Sequence, residues 1–395
     1  MAQLAIASAL MAAPTVVSPL ARVDVHTSFD EVREAWHQLE AQRLLTPYQH
    51  HDFIRPWWEH AGRHELDGLA IAVGQCARGE PLFLWPLGRR RRGVFTVAEP
   101  LGGKHANYHF GLWSAGMLDA GMPAFDDALA KFSVAAHGID ALVLSNQLRE
   151  WNGRANPFAL RDPSPAPSDA YGVRLERDPD AYMQRVMSHD ARKQIRGKLR
   201  KLEALPQARI YRAAAPEDID RLLGAFLVQR AERFVAMGVS NPFDAPGIAA
   251  WLQDAAHRAG AGDTVSLELY GVEAEGKVIA VAGGIGDGAS FSCMFNSYDS
   301  ASPHARITPV YALTAYLVAD LCRRGYEWFD LGVGEARYKT HFCDRTAELV
   351  DACVPLTPLG FVYAAGRRSA MRAKRYVKRS PALWSLAQRI RRMAP

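Results

Sequence analysis

The amino-acid sequence predicts an α/β protein made of two tandem units, each a mixed β-sheet flanked by helices. Three observations support this prediction. The chain of 395 residues is longer than one ordinary hydrophobic core requires. Residues 21–39 and 208–226 carry the same strand-then-helix pattern at an offset of 187 residues. A segment rich in Pro and Ser, residues 156–172, lies between the two copies and indicates a linker.

The elements that follow the first strand and helix also occur in the same order in both copies. The further pairs of similar segments are 47–62 with 242–260, 70–84 with 267–281, and 130–144 with 317–331. The middle pair predicts two hairpins, each turning at a glycine, Gly79 and Gly276. The last pair predicts a helix that ends at a glycine before a buried strand, at Gly138 and Gly325.

The predicted division of the chain follows from this repeat. It comprises an N-terminal tail (1–20), an N-terminal domain (21–155), a linker (156–172), a C-terminal domain (173–360) and a basic C-terminal tail (361–395). The N-terminal tail has no Lys or Arg before Arg22, so it lacks the basic start of a secretory signal.

Composition indicates a soluble globular protein, with 49% hydrophobic and 23% charged residues. The five cysteines are odd in number and show no CxxC spacing, which favours a reducing compartment and predicts a cytoplasmic protein. His105 and His109 have a spacing found in metal sites, but no carboxylate or cysteine is near them in sequence, and we expect no metal.

Positive charge is concentrated at the C-terminus. Residues 366–395 hold ten Lys and Arg and no acidic residue, while the whole chain carries a formal charge of +5. The other residues therefore carry a net charge of −5 (5 minus 10), which argues against a nucleic-acid-binding core. The basic tail contains Trp384 and Ile390 among its arginines, which predicts peripheral contact with an anionic membrane; a disordered solubilising tail is the alternative.

The stretch GYEWFDLGVGEARYKTHF, residues 325–342, contains two glycines at the end of a predicted strand. This pattern does not match a dinucleotide-binding turn. A dinucleotide fingerprint needs a third glycine where this chain has Arg337, and no GxxxxGK[ST] phosphate loop is present. Open α/β sheets place ligands beyond the carboxyl ends of their strands. We therefore expect the glycines Gly332 and Gly334 to let the backbone approach a substrate.

Three side chains of this stretch are candidates for the site. Asp330 is a carboxylate in an otherwise apolar strand and needs a partner, so it is predicted as a catalytic or site-organising residue. Tyr338 is predicted as a catalytic proton donor. Lys339 is predicted to bind a carboxylate or phosphate of the acceptor; a half-buried tyrosine and a solvated lysine are the structural alternatives.

Five sequence motifs follow one another in the second copy and carry a resemblance to a known family. They are SHDARKQIRGKLRKLEAL, FLVQRAERFVAMGV, EAEGKVIAVAGGIG, FNSYDSASPHARITPVYALTAYL and GYEWFDLGVGEARYKTHF. In order and spacing they resemble the CelD-type cellulose-biosynthesis acetyltransferases, a branch of the GNAT acyltransferase superfamily. The tandem arrangement resembles that of the Fem-type transferases. The likeness covers roughly residues 22–360 and is strongest over 188–342.

The resemblance implies the fold and the chemistry. It implies two GNAT-like domains, the C-terminal one catalytic, with an acyl-CoA as co-substrate, acetyl-CoA being the first expectation. The acyl group would pass directly to an amine or hydroxyl of a small-molecule or glycan acceptor in cell-envelope or polysaccharide metabolism. The GNAT pyrophosphate loop contains glycine, whereas the equivalent HARITP, residues 304–309, has none. That difference bears on the identity of the donor.

The resemblance also implies several binding residues. In HARITP, Thr308 is predicted to cap the following helix, whose free N–H groups would bind the donor phosphates together with Arg306 and Ile307. The backbone of the strand around Met294 and Phe295 would polarise the thioester carbonyl.

Further residues are predicted to line the acceptor cleft. Arg230 and Tyr298 lie in motifs like those of the family and are expected there, although a packing role explains either residue equally well. Arg196, one of six cations on the helix 188–205, is expected to attract an anionic substrate, although a solvated helix face explains those cations equally well.

Two other functions remain open from the sequence. One is a Fem-type transferase that uses aminoacyl-tRNA as its donor. The other is a non-catalytic binding protein of polysaccharide export, held at a membrane by the basic tail.

Overall fold

The computed structural model describes residues 19–258 and 264–379, and their side chains as far as residue 370. Most of the predicted N-terminal tail and the last part of the predicted basic tail lie outside the described residues. The described chain forms a mixed α/β structure in which helices flank the sheets, as the sequence predicts.

The described part of the first half contains eight strands and five α-helices. The strands are β1 (Leu20–His26), β2 (Gly68–Leu69), β3 (Ile71–Cys76), β4 (Pro81–Trp85), β5 (Leu87–Arg92), β6 (Phe95–Pro100), β7 (Leu112–Trp113) and β8 (Ala141–Leu148). The helices are α1 (Phe29–Glu40), α2 (His51–Trp57), α3 (Arg63–Glu65), α4 (Ala115–Asp119) and α5 (Gly121–Ala135), with a 3-10 turn at Pro47–Gln49 and a π-helical turn at Trp58–Gly62.

A connecting region leads into the second half. It contains β9 (Glu150–Trp151), β10 (Arg154–Ala155), α6 (Pro157–Leu160), β11 (Ser164–Pro165) and β12 (Ala170–Arg174). The helices of the second half are α7 (Pro179–Val186), α8 (His189–Glu203), α9 (Pro216–Met237), α10 (Ile248–His257), α11 (Pro309–Arg324), α12 (Lys339–Phe342) and α13 (Pro358–Arg379). Its strands are β13 (Arg209–Arg212), β14 (Ser266–Ala274), β15 (Lys277–Gly286), β16 (Ser290–Tyr298), β17 (Trp328–Val333), β18 (Arg345–Ala347) and β19 (Leu349–Pro355), and 3-10 turns lie at Pro242–Asp244 and Ala305–Ile307.

The paired sequence segments fold into equivalent elements. Strand β1 with helix α1 corresponds to β13 with α9, the hairpin β3–β4 to β14–β15, and α5 with β8 to α11 with β17. The segments that begin at residues 47 and 242 both open with a 3-10 turn and continue as a helix. The four glycines predicted at turns and helix ends, Gly79, Gly138, Gly276 and Gly325, all have positive φ angles.

The two copies differ in how their sheets are joined. The second half forms one seven-stranded sheet in the order β13-β14-β15-β16-β17-β12-β18. In the first half, a four-stranded sheet (β1-β3-β4-β7) and a six-stranded sheet (β11-β19-β8-β6-β5-β2) are separate. The break falls between β4 and β5, where Pro86 interrupts what is a single strand, β15, in the other copy. Proline has no N–H to donate to a strand partner, so it marks the point where the chain changes sheet.

The two units exchange one strand each. Each copy contains a pair of parallel strands at the equivalent place in its sheet. These pairs are β6 with β8 in the first copy and β16 with β17 in the second. Strand β12, which follows the first copy, pairs antiparallel with β17 of the second. Strand β19, which follows the second copy, pairs antiparallel with β8 of the first. Each sheet is therefore completed by a strand from the other half of the chain.

This exchange changes the division of the chain that the sequence predicts. The predicted linker, 156–172, contains α6 and β11 and enters β12, which belongs to the second sheet. The predicted C-terminal domain, 173–360, contains β19, which belongs to the first sheet. Residues 361–379 continue α13, which packs on β19 and β8, so the predicted boundary at 360 falls inside a helix. Segment composition does not reveal which sheet a strand joins.

Equivalent helices of the two units also pack against each other. Phe53 on α2 meets Trp251 on α10 edge to face, with ring centroids 5.5 Å apart. The side chains of His60 and Asp254 form a hydrogen bond of 3.2 Å next to them. Gly247, at the start of α10, has φ +79°, and a Cβ atom there would lie 1.8 Å from the carbonyl oxygen of His60. The contact between the units therefore requires glycine at this position.

Among the described residues, no helix has the length and apolar character needed to cross a membrane.

We predict that Gly247→Ala lowers the free energy of unfolding by more than about 3 kcal/mol, because alanine is strained at positive φ and its Cβ would collide with the backbone of the other unit. Gly276→Ala is the matched control, since Gly276 also has a positive φ but nothing lies within 4 Å of the point where a Cβ atom would stand. The control should lose only about 1 kcal/mol. Urea unfolding of both variants measures the difference, and equal losses would contradict the inter-unit contact.

Candidate functional site

The candidate site lies where two parallel strands of the second unit diverge. Strand β16 pairs with β17 only from Ser290 to Ser292. Beyond that point β16 continues to Tyr298, bonded to β15 alone, and Met294 forms a bulge in that pairing. Alternate backbone amides of the outer part of β16 therefore face an open cleft instead of a neighbouring strand.

A cavity of about 530 Å³ occupies this region. Its wall is formed by the helices α8 and α9, the end of β16, the start of α11 and the segment that leads into α12. The lining residues are Gln194, Lys198, Gln229, Arg230, Arg233, Asn296, Ser297, Tyr298, Ala305, Thr308, Pro309, Val310, Tyr311, Arg337, Tyr338 and His341. Four of the residues predicted for the site, Arg230, Tyr298, Thr308 and Tyr338, thus line one cavity.

The cavity wall carries four cationic side chains, and none of the described residues that line it is an aspartate or glutamate. The cations are Lys198, Arg230, Arg233 and Arg337. In the described chain, none of the three guanidinium groups has a carboxylate within ion-pair distance, although most arginines elsewhere do. Such a wall is electrostatically complementary to an anion.

Arg230 is the least compensated of these groups. Its guanidinium lies 4.9 Å from the ring centroid of Phe234 and 5.6 Å from that of Phe243, while its Nε is buried without a hydrogen-bond partner. Burial, followed by repulsion from Arg233, lowers the pKa of Arg230. A half-buried cation with an unpaired N–H costs free energy that a bound anion would recover.

The start of helix α11 differs from the predicted cap. Thr308 has φ +55°, a left-handed conformation that is costly for a β-branched residue, and its side chain caps no N–H of the helix. Its hydroxyl donates instead to the carbonyl of Ile307 at 2.6 Å. Lys198 donates to the same carbonyl at 3.2 Å and to the hydroxyl of Thr308. A cation from α8 therefore lies at the helix N-terminus, where the sequence predicted a side-chain cap.

Two hydrogen-bonded pairs project into the cavity. Asn296 on β16 donates to the hydroxyl of Tyr338 at 3.1 Å. Burial raises the pKa of Tyr338, so its hydroxyl keeps its proton at neutral pH. Tyr311 on α11 shares a hydrogen bond of 2.8 Å with Nδ1 of His341. Among the described lining residues, His341 is the one whose side chain type serves as a general base near neutral pH.

Asp330 lies outside the cavity, at the fork of the two strands. It is 2% exposed and accepts hydrogen bonds from the hydroxyl of Tyr108 at 2.6 Å, the hydroxyl of Ser292 at 2.8 Å and the N–H of Gly332 at 2.8 Å. Because Ser292 is the last residue of β16 that pairs with β17, this carboxylate fastens the two strands where they begin to separate. Its geometry is that of a site-organising residue, and its catalytic role stays a prediction.

Residues of the first unit complete this network. Tyr48 bonds Ser292 at 2.6 Å, and the Nδ2 of Asn107 donates to the hydroxyl of Tyr48 at 2.6 Å and to the carbonyl of Cys293 at 3.1 Å. A Cβ atom at Gly332 would lie 2.6 Å from that Nδ2. Gly332 was predicted to let the backbone approach a substrate. In the structure, the space beside it is occupied by the side chain of Asn107 from the other unit.

Lys339 also has a different position from the one predicted. It is 6% exposed, and its Nζ donates to the carbonyls of Gly332 and Val333 at 3.1 and 3.0 Å. It does not line the cavity, so its ammonium stabilises the turn after β17 rather than facing an acceptor.

The other predicted residues lie around the cavity or apart from it. Phe295 is buried, and its ring stacks on Phe226 with centroids 4.1 Å apart, so only its backbone could serve a ligand. Met294, at the bulge, is half-buried. Ile307 packs against the core of the second unit. Arg306 and Arg196 are exposed and are not part of the cavity wall.

Sequence reasoning missed much of the wall. His341, Tyr311 and Asn296 were not predicted as site residues, although each lies within one of the motifs that resemble the family. Arg233 follows Arg230 by three residues on the same helix, and this spacing was the available signal. The sequence predicts that the cations of the helix 188–205 attract an anionic substrate, but it does not show that Lys198, rather than Arg196, faces the cavity.

A comparison with known protein families agrees with the position of the cavity in the second unit. Residues 189–340 match the sequence profile of a family described as an acetyltransferase (GNAT) domain. The match contains every described lining residue of the cavity except His341, which lies one position beyond it. No curated protein matches the chain significantly in sequence.

Solved structures share the fold of nearly the whole chain. FemX aligns with a TM-score of 0.55 and 11% identity over 84% of this chain and 97% of its own. The C-terminal domain of a putative lysylphosphatidylglycerol synthetase from Agrobacterium fabrum aligns with a TM-score of 0.51 and 11% identity, over 87% and 96%. A conserved protein of unknown function from Bacteroides thetaiotaomicron aligns with a TM-score of 0.51 and 12% identity, over 84% and 99%. At these identities the likeness concerns the fold, and the narrower CelD-type assignment stays a prediction.

We predict that the Asp330 carboxyl makes stability depend on pH. Burial raises its pKa from 3.8 to about 6. A raised folded-state pKa means that the stabilisation is complete below the unfolded value and is lost as pH rises through the folded value. Between pH 4 and pH 7 the wild type should therefore lose about 2–3 kcal/mol relative to Asp330→Asn.

Denaturant unfolding at both pH values measures this difference. Asp190→Asn, at an exposed carboxylate, is the control and should follow the wild type. If Asp330→Asn also follows the wild type across this range, the buried carboxyl does not titrate there.

Proposed function

We propose that this acyltransferase, whose residues 189–340 form a GNAT domain, transfers an acyl group from an acyl-CoA to an amine or hydroxyl acceptor in the cavity of its second unit. One observation carries the proposal. The cavity, beyond the fork of β16 and β17, combines open strand amides with four cations and no acidic side chain among its described lining residues. Coenzyme A is a thioester donor with several phosphates, and it matches both features.

The phosphates of the donor would be held by charge rather than by a glycine loop. Lys198 lies at the N-terminus of α11, where backbone N–H groups and the helix dipole favour an anion. Arg230 and Arg233 present guanidinium groups with no carboxylate partner in the described part of the chain, and arginine binds phosphate through two parallel hydrogen bonds. These contacts explain how HARITP could serve a CoA donor without a glycine.

The acyl group would pass directly from the donor to the acceptor, through a tetrahedral intermediate and without a covalent bond to the enzyme. The nucleophilic nitrogen or oxygen of the acceptor attacks the thioester carbon and gives its proton to His341. Amides of β16 beyond Ser292 stabilise the negative charge on the carbonyl oxygen. The C–S bond then breaks, and the departing thiolate takes the proton of Tyr338. Solvent later returns a proton to Tyr338 and accepts the one that His341 took from the acceptor, so both side chains regain their starting states. Tyr338 suits this role because burial keeps its hydroxyl protonated.

The second candidate is a Fem-type transferase that uses aminoacyl-tRNA as its donor, and the similarity of fold to FemX favours keeping it as the alternative. A tRNA donor would bind through many phosphates, and its affinity would fall steeply with salt. Calorimetry separates the two: binding of acetyl-CoA or a longer acyl-CoA supports the proposal, and binding of none of them rejects it.

We predict that Arg230→Met weakens acyl-CoA binding at least tenfold, or about 1.4 kcal/mol, because it removes a charge-assisted contact to phosphate. Arg196→Met is the matched control, since Arg196 is an exposed arginine of α8 outside the cavity wall. The control should bind as the wild type does. Titration calorimetry measures both, and an equal affinity of Arg230→Met and wild type would show that the cavity arginines do not hold the donor.

We predict that His341→Gln and Tyr338→Phe each lower kcat by about 10²–10⁴, because each removes a group that moves a proton in the transition state. Acyl-CoA affinity should change little, because neither side chain is one of the cations proposed to hold the phosphates. The melting temperature should also change little, because both side chains border the cavity instead of lying in the hydrophobic core. Steady-state release of free CoA thiol provides the rate. Wild-type turnover in either variant would remove that residue from the mechanism.

A further inference from the structure

Exposed apolar side chains form a cluster around the start of helix α13. The described chain has ten exposed large hydrophobic residues, and they fall into two groups. Four lie on or just after α9: Val228, Val235, Met237 and Val239. The other six belong to the first unit and to α13, which packs on it: Val94, Val134, Leu160, Leu359, Phe361 and Val362. We call the second group the α13 platform.

Contacts of the neighbouring residues bring the segments that carry these side chains next to one another. The ring of Phe95, next to Val94, lies 5.3 Å from that of Tyr363, next to Val362. The hydroxyl of Ser133, beside Val134, donates to the carbonyl of Leu356 at 3.3 Å, just before the helix begins. The β5–β6 hairpin tip and the end of α5 thus both border the first turns of α13.

The α6 side of the platform is joined to the same helix. Phe361, Arg161 and Arg368 line one cavity of about 260 Å³ between α6 and α13. Leu160 precedes Arg161 in the chain. Phe361 and Val362 are each 61% exposed, and Val94 is 76% exposed, although side chains of this kind are normally buried. An apolar group of this size on one surface marks an interaction site.

Basic residues lie beside the platform, and two of them are paired with carboxylates: Arg92 with Glu99, and Arg368 with Asp162. Arg91 and Arg92 precede Val94, and Arg367 and Arg368 follow the exposed turn of α13. From residue 366 to the end, the chain has ten Lys and Arg and no acidic residue. Apolar side chains next to a strongly basic segment, residues 366–395, match the boundary between acyl chains and anionic headgroups.

We propose that the α13 platform docks on an anionic lipid surface, with Phe361, Val362 and Val94 entering the headgroup region. A second copy of this chain fits the platform less well. A symmetric dimer would place the same basic surface against itself, and like charges repel. This inference does not depend on the acyl-transfer proposal, because the platform belongs to the other unit and shares no residue with the cavity.

The test is co-sedimentation of the full chain with vesicles. Vesicles of phosphatidylcholine alone are compared with vesicles of phosphatidylcholine and phosphatidylglycerol in equal amounts. We expect binding to the anionic vesicles that weakens at high salt, and at least tenfold weaker binding of Phe361→Asp. Val235→Asp is the matched control: Val235 is 81% exposed on α9, and this variant should bind as the wild type does.

Two further measurements complete the design. Val94→Asp alters the hairpin tip, a separate element, and should weaken vesicle binding even if Phe361→Asp fails to fold. Light scattering provides the oligomeric state without lipid. The proposal is overturned if the wild type ignores anionic vesicles, if Val235→Asp loses binding equally, or if the wild type is a dimer that Phe361→Asp converts to monomer.

Discussion

The reciprocal exchange of strands between the two units is the constraint on which the rest of the structure depends. Strand β12 completes the second sheet, and β19 completes the first. A sheet edge that lacked its partner would expose unpaired N–H and C=O groups, so neither unit is finished without the other. The same exchange borders β17 with β12, which leaves β16 and β17 free to separate on the side where the cavity opens.

The first unit contributes to the site without lining its cavity. Its residues Tyr48, Asn107 and Tyr108 reach the fork of β16 and β17 and bond Ser292 and Asp330 there. Buried polar groups are costly unless they are fully paired, and here Asp330, Ser292 and Tyr48 each have hydrogen-bond partners from both halves of the chain. The fork is thereby held in one geometry, and the spacing of the cleft beyond it follows from that geometry.

Charge is distributed over the molecule in a way that separates its surfaces. Among the residues that the structure describes, the arginines of the cavity have no acidic partner. By contrast Glu268, buried on β14, is paired with both terminal nitrogens of Arg324 at 2.6 and 2.7 Å. The first pattern leaves charge available to a ligand, and the second uses it to stabilise the sheet and helix α11. The basic residues around the α13 platform form a third region, with exposed apolar side chains between them.

The sequence by itself determined the repeat, the order of elements, the turns at Gly79, Gly138, Gly276 and Gly325, and four residues of the cavity. These properties follow from local periodicity and backbone preference, which neighbouring residues record. Tertiary structure alone decided which sheet β12 and β19 join, and which residues pair with Asp330. It also decided that Lys339 supports the turn after β17, and that Lys198, rather than Arg196, faces the cavity together with His341. Such outcomes depend on contacts between residues more than 100 positions apart in several cases, such as Tyr108 with Asp330, and no local pattern encodes them.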